Sequence, residues 1–298
     1  MIIRLQHVGL AVENLATVAG TWPRLFGLQA VDARPGLDGG MRSEARIMLP
    51  NACWLQIVQD RRSGSRVGRF LAAHGEGLEH IALETDDIEA EVAHLREMGV
   101  SIAEGAIVDT PDGRLATVDG PDAIGFAVEL IQPHPGGWRF EPSRLTNPNV
   151  LGLQHIGLAL RDSDSAVARF EALFGLKPTE LRLDQHGGDQ RDYRVDVGND
   201  RLWLHAVQPI VEDHRVSRYL AVHGESLEHL CIEIADIRKA VWRVKQAGIA
   251  LEDNKIHLDR ADGLESFVRA MDNHGVTIEL IEPYPTSRGY RGNPIYDS

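Results

Sequence analysis

The chain is poor in cysteine, in positive charge and in long apolar runs, and each shortage excludes something. Two of its 298 residues are cysteine. Cys53 and Cys231 fall in strand-like runs of different parts of the chain, which leaves no material for a disulfide framework and fits a reducing compartment. Lysine and arginine number 31 against 44 aspartates and glutamates, a net charge of -13. The acidic residues are scattered rather than blocked, which argues against nucleic acid and against an anionic membrane surface as partners. No apolar run approaches the roughly 20 residues of a membrane helix. Ile2 and Ile3 lead straight into a strand without a charged-then-apolar leader, so a cytoplasmic location is expected. What remains, 43% hydrophobic and 25% charged, is the composition of a globular protein long enough for two sizeable cores.

What is present is a fourfold repeat. Four histidines stand inside otherwise apolar, strand-like runs: Leu5-Gln6-His7-Val8-Gly9-Leu10, Leu78-Glu79-His80-Ile81-Ala82-Leu83-Glu84, Leu153-Gln154-His155-Ile156-Gly157-Leu158 and Leu227-Glu228-His229-Leu230-Cys231-Ile232-Glu233. A glycine followed by an apolar residue, the mark of a helix end, comes 20, 19, 20 and 19 residues later, at Gly27, Gly99, Gly175 and Gly248. A polar residue in a second apolar run follows each histidine at 49, 49, 50 and 50: Gln56, Glu129, His205 and Glu279. No single copy is persuasive, but the common spacing makes the chain four copies of one unit.

Within the first unit, a strand from Leu5 to Val12 precedes Asn14, a helix cap, and the apolar residues Leu15, Val18, Ala19, Trp22, Leu25 and Phe26 share one helical face before Gly27. Pro23 stands near the end of that helix, where it can kink it. Strands are expected around Leu28 to Ala33, Glu44 to Leu49 and Cys53 to Gln59, so the unit reads βαβββ. A short amphipathic segment, Val67 to Ala73, leads to the second unit, with a strand at Leu78 to Glu84, a cap at Asp86-Asp87 and a helix from Ile88 to Met98. Strands are then expected at Val100 to Ala103, Leu115 to Val118 and Phe126 to Ile131. The second half repeats the first at an offset of 148 to 150 residues. The expected class is therefore α+β: four βαβββ modules paired into two curved mixed-sheet domains, at 1–135 and 151–284. The Pro-, Gly- and Asn-rich stretch 136–150 reads as the linker and 285–298 as a C-terminal tail.

If two such units pair into one sheet, the first and last strands of each can aim one residue apiece at a shared floor. The expected sets are His7, Gln56, His80 and Glu129, and His155, His205, His229 and Glu279. Imidazole with carboxylate suits a divalent Zn, Co, Ni, Fe or Mn ion, up to two per chain, rather than calcium or a thiolate-bound metal. Because the sets differ only by amide against imidazole, a divalent ion keeps a net positive field in both. A single strand histidine is more often a hydrogen-bonded core residue than a ligand. Eight such residues at matched spacing are poorly explained that way.

These strands and ligands resemble the vicinal oxygen chelate superfamily, which includes glyoxalase I, methylmalonyl-CoA epimerase, extradiol dioxygenases and bleomycin resistance proteins. The resemblance spans essentially the whole chain as two tandem glyoxalase-like domains. It looks most like methylmalonyl-CoA epimerase through the stretch from Val67-Gly68-Arg69-Phe70 to His80-Ile81-Ala82-Leu83-Glu84, followed by Asp86-Asp87-Ile88.

The resemblance implies a metal-dependent isomerase, epimerase or lyase that removes a proton next to a carbonyl and stabilises the enolate, acting on a small oxygen-rich or acyl substrate. Aligning the turn Pro50-Asn51 with Gly198-Asn199 sets Glu44 opposite Asp192 and Arg46 opposite Arg194, each acid on one face with its arginine. Glu44 and Asp192 are then candidate bases, and Arg46 and Arg194 candidates for orienting an anionic group of the substrate. The alternative is a solvent-facing charged stripe. In bacterial epimerases the second catalytic glutamate aligns with Arg46 rather than Glu44, a departure that changes reach. Glu129 and Glu279 could instead act as bases by leaving the metal, as the glyoxalase members imply.

Two other readings stay open. His155, His229 and Glu279 form the triad of an Fe(II) extradiol-type dioxygenase, with His205 as acid or base. However, Arg269 replaces the tyrosine that this family carries ten residues before the glutamate ligand, and its first domain normally lacks ligands. A metal-free small-molecule binding protein of the bleomycin resistance kind would lack the full ligand set. One half could also catalyse while the other stabilises the pair, and either a monomer or a homodimer is compatible with a fused tandem.

Overall fold

A computed structural model describes residues 1–28, 30–35, 41–120, 125–136, 147–182, 188–199, 201–259 and 262–287. The first half runs β1 (Ile2–Ala11), α1 (Leu15–Phe26), β2 (Ala30–Pro35), β3 (Arg42–Met48), β4 (Trp54–Asp60), α2 (Arg66–His74), β5 (Gly77–Thr85), α3 (Ile88–Glu97), β6 (Val108–Thr110), β7 (Gly113–Val118) and β8 (Ala127–Pro133). The second half repeats it as β9 (Val150–Ala159), α4 (Ser163–Phe174), β10 (Pro178–Arg182), β11 (Gln190–Asp196), β12 (Trp203–Pro209), α5 (Arg215–His223), β13 (Ser226–Ile234), α6 (Ile237–Gln246), β14 (His257–Asp259), β15 (Gly263–Val268) and β16 (Thr277–Pro283).

Local chemistry sets the helix ends. The Asn14 side chain accepts from the Ala16 N–H and Gly27 closes α1 in the left-handed region. Asp162 and Gly175 do the same for α4. Asp87 and Asp236 cap α3 and α6 by accepting from Ala90 and Lys239.

Each half builds one eight-stranded sheet, in the orders β2-β3-β4-β1-β5-β8-β7-β6 and β10-β11-β12-β9-β13-β16-β15-β14. The pairs β5–β8 and β13–β16 are parallel, whereas β3–β4, β7–β8, β11–β12 and β15–β16 are antiparallel, so both sheets are mixed. The first strand of one module thus lies beside the first strand of the next at the middle of each sheet. That arrangement brings the four histidine-bearing strands together in pairs, β1 with β5 and β9 with β13.

One expected strand is misplaced. Residues 100–103 are not a strand; Val100 and Ile102 are buried as the pattern suggests, but the short strand follows later, at β6. A run of four residues with apolar alternation carries no signal that separates a buried connection from a strand. Residues 137–146 of the expected linker and 288–298 of the expected tail lie outside the described residues.

By contact density the chain groups into two interleaved units, one of residues 1–7, 80–140 and 156–228, the other of residues 8–79, 141–155 and 229–298. In the first unit α3 packs against α4, His94 Nε2 lies 2.9 Å from the Ala172 carbonyl, and Phe126 meets Phe170. The Asn199 side chain takes the Leu5 N–H at 2.8 Å and donates to the Leu5 carbonyl at 3.0 Å. In the second unit α1 packs against α6, and Asn51 makes the matching pair of bonds to Leu153, at 3.1 and 2.7 Å. A side chain at Gly152 would put its Cβ 2.8 Å from the Asn51 amide, so only glycine leaves room for this docking. Each half's β3–β4 or β11–β12 turn therefore pins the strand two residues ahead of the other half's first histidine.

Candidate metal centres

The centre of the first half is built from β1, β5 and β8. His7 and His80 are 3% and 1% exposed, and their Nε2 atoms face each other at 3.2 Å. Glu129, opposite Ala82 in the parallel register, sets Oε2 3.4 Å from His80 Nε2 and 3.8 Å from His7 Nε2. The three ligand atoms lie within 4.8 Å of one another. The second half repeats this with His155 and His229, whose Nε2 atoms stand 3.0 Å apart, and Glu279 Oε2 at 3.3 Å from both.

The rings are held from behind. His7 Nδ1 lies 3.1 Å from Gln6 Oε1, and His155 Nδ1 lies 3.2 Å from Gln154 Oε1. An oxygen acceptor there assigns the ring proton to Nδ1 and leaves a lone pair on Nε2, aimed at the neighbouring imidazole and carboxylate. Two imidazole nitrogens and a carboxylate oxygen converging in a buried place suit a divalent cation. Burial pushes the Glu279 carboxyl up, but when the His155 and His229 rings carry protons at Nε2 in a cation's place they outweigh it and hold that carboxyl well below the usual carboxylate range.

The fourth expected donors differ between halves. Gln56 is buried; its Nε2 donates to Glu44 Oε2 at 3.2 Å, and its Oε1 has no hydrogen-bond partner. An amide fixed by its nitrogen and left with a bare buried oxygen fits a hard or borderline cation. His205 has a ring nitrogen within 4.8 Å of those of His155 and His229, and its Nε2 lies 3.4 Å from Asp192 Oδ2. All eight ligand candidates thus fall on the central strands or on their neighbours β4, β8, β12 and β16, and six of them converge in two triads.

The charged pairs beside them are not a solvent-facing stripe. Asp192, Arg194 and Arg46 are 1%, 2% and 2% exposed. Arg46 stands across from Gln56, and Arg194 across from His205, in the strand registers. The guanidinium of Arg46 lies over the Trp54 ring at 5.3 Å and that of Arg194 over Trp203 at 4.4 Å. Glu44 is half-buried and also accepts from Arg42 at 3.5 Å, while Gln190 donates to Asp192 Oδ2 at 2.7 Å.

The sequence reading missed two features. Gln6 and Gln154, each directly before a first-strand histidine, were a legible signal. Cys231, two residues beyond His229 on the same face and opposite Glu279, was not singled out. Its Sγ belongs to a second cluster with His155 and Glu279, again within 4.8 Å, and burial together with the Glu279 charge pushes its thiol well up.

The chain is similar to known proteins at each level. The family model described as the glyoxalase/bleomycin resistance protein/dioxygenase superfamily matches residues 6–118 and 154–267. Human mitochondrial methylmalonyl-CoA epimerase is 25% identical over 134 residues, covering 44% of this chain and 74% of the relative. An ethylmalonyl-CoA/methylmalonyl-CoA epimerase of Cereibacter sphaeroides is 30% identical over 103 residues, 34% of this chain and 75% of the relative. A mutant of 4-hydroxymandelate synthase from Streptomyces coelicolor shares the fold across 99% of this chain and 96% of its own, with a TM-score of 0.73 at 18% identity. Among the described residues no helix is long and apolar enough to cross a membrane. Two tandem family matches, each over most of one sheet and including both of its facing histidines, place this chain in the glyoxalase/bleomycin resistance protein/dioxygenase superfamily.

Proposed function

We propose that the protein is a metal-dependent isomerase, epimerase or lyase that abstracts a proton next to a carbonyl of a small acyl or oxygen-rich substrate. The observation that carries this reading is the convergence, in both halves, of two facing imidazole Nε2 atoms on one carboxylate oxygen. His7, Gln56, His80 and Glu129 would hold one divalent ion, and His155, His205, His229 and Glu279 the other; Zn, Co, Ni, Fe and Mn all suit these donors. When bound, such an ion stabilises negative charge developing on a substrate oxygen.

The remaining work falls to the chain's own side chains. Glu44 and Asp192 take the proton from the adjacent carbon, at Oε and Oδ respectively. Gln56 and His205, which bond Glu44 Oε2 and lie beside Asp192 Oδ2, hold these carboxylates toward the ligand strands. Arg46 and Arg194, fixed against Trp54 and Trp203, orient an anionic group of the substrate. Epimerases acting on methylmalonyl-CoA among the relatives favour an acyl thioester.

The test is two measurements on one preparation. Protein purified without chelators should carry up to two divalent ions per chain by elemental analysis. Incubated with methylmalonyl-CoA in deuterium oxide, it should introduce one deuterium next to the carbonyl, read by mass spectrometry. Absence of bound metal, with no thermal stabilisation on adding any of the five ions, would remove the reading and favour a metal-free binding protein. Oxygen uptake with a catechol in place of exchange would favour the dioxygenase reading, to which the His155, His229 and Glu279 triad also lends itself.

A further inference from the structure

We propose that the second-half centre takes Cys231 as an additional donor, so that the chain carries two ions of different class: one bound by nitrogen and oxygen alone, the other by a thiolate. This rests on the reading that both centres hold ions.

The geometry is specific to one half. Cys231 is fully buried and follows His229 by two residues on β13, which puts both side chains on one face of the strand. In the parallel register it stands directly opposite Glu279. Its Sγ, a ring nitrogen of His155 and a carboxylate oxygen of Glu279 all lie within 4.8 Å of one another, and Sγ is 3.7 Å from Gln154 Oε1, the oxygen that also holds the His155 ring. Donors sharing one ion stand roughly 3–4 Å apart, so small side-chain rotations close this set. In the first half the residue opposite Glu129 is Ala82, which offers no donor. The other cysteine, Cys53, points its Sγ at the Trp54 carbonyl and belongs to neither cluster.

On binding, the Sγ–H bond breaks, an Sγ–metal bond forms and the proton leaves to solvent, with no change of oxidation state. The two centres then differ in charge. A divalent ion with two neutral imidazoles, a neutral amide and one carboxylate keeps one positive charge in the first half. In the second half the thiolate cancels it. The first centre keeps the field that stabilises an anionic intermediate, and the second prefers softer ions such as Zn, Co or Cd over Mn.

The experiment strips the full chain of metal, reloads it with Co(II) and follows the sulfur-to-cobalt charge-transfer absorption in the near ultraviolet, with cobalt counted by elemental analysis. The expected result is a band worth one thiolate ligand at two cobalt per chain, unchanged in Cys53→Ala and absent in Cys231→Ala. Cys231→Ser serves if the alanine variant does not fold. Cadmium-113 NMR of the unsubstituted protein gives the same information without substitution: two signals are expected, one far downfield in the range of sulfur ligation. Manganese binding at the first centre should change less than about twofold in Cys231→Ser while cadmium at the second weakens about tenfold or more. Two cobalt ions bound without a sulfur band would overturn the proposal and leave the metal reading standing. Failure to bind cobalt at all would overturn both.

Discussion

The two halves of this molecule are copies that agree in their facing histidine pairs and diverge around them. At matched places the first half has Gln56, Ala82, Glu44 and Phe70, and the second has His205, Cys231, Asp192 and Tyr219. The facing imidazoles and their carboxylate are reproduced to within a few tenths of an ångström in the nitrogen–nitrogen separation, 3.2 against 3.0 Å. What the strand pairing fixes is therefore the triad. What varies is the set of polar and charged groups around it.

The largest expected effect separates the halves by activity. His80→Ala should lower kcat/KM for deuterium exchange by about a hundredfold or more, the scale of losing a preorganised electrostatic contact to a developing anion. His229→Ala should cost far less if the first centre carries the chemistry. Equal losses from both substitutions would mean two equivalent working sites and would remove the functional asymmetry.

A smaller difference is expected in stability. Arg194 sits closer to its tryptophan than Arg46 does, 4.4 against 5.3 Å, and both are buried. Arg194→Ala should lower the unfolding free energy by about 3 kcal/mol and Arg46→Ala by about 2 kcal/mol, read from urea midpoints at constant slope. The reverse order would show that partners other than the rings dominate.

Below that come the two turn asparagines. Each makes two hydrogen bonds to a single residue of the other half, so Asn51→Ala and Asn199→Ala should each cost about 1–3 kcal/mol, by thermal or urea unfolding. The two values should agree closely, because the bonds are alike.

The last effect is confined to alkaline pH and belongs to one half. Tyr219, whose hydroxyl donates to the Leu227 carbonyl at 2.8 Å, has its phenol pushed up to about 12 by burial, from an ordinary 10.0. The folded state therefore keeps its proton where the unfolded chain has lost it, and stability falls as pH rises from 10 toward 12. Tyr219→Phe, which restores the residue found at position 70, should flatten that stretch of the stability–pH curve, and an unchanged slope would assign it to other groups.

Much of this was legible before any coordinates. The fourfold spacing gave the modules, their caps and the ligand strands, because a strand that must both bury one face and aim a polar residue leaves a rigid period-two pattern. Asn14, Gly27, Asp87 and Gly175 act where their types say they should. The strand expected at 100–103 failed because burial without pairing looks the same in sequence. The hydrogen bond from Gln56 to Glu44 and the approach of Asp192 to His205 could not be read, since they depend on which neighbours two adjacent strands place side by side. Cys231 was hidden for a related reason: beside apolar residues a buried cysteine passes for a small hydrophobe, and only the parallel register sets it opposite Glu279.

The crossed asparagine docking bears on how such a chain can change. A polypeptide reduced to one half would lose the amide that fastens its leading strand, and with it the seat of His7 or His155. With that exchange in place, the groups around each triad can change without loosening either leading strand, whereas separating the halves loosens both.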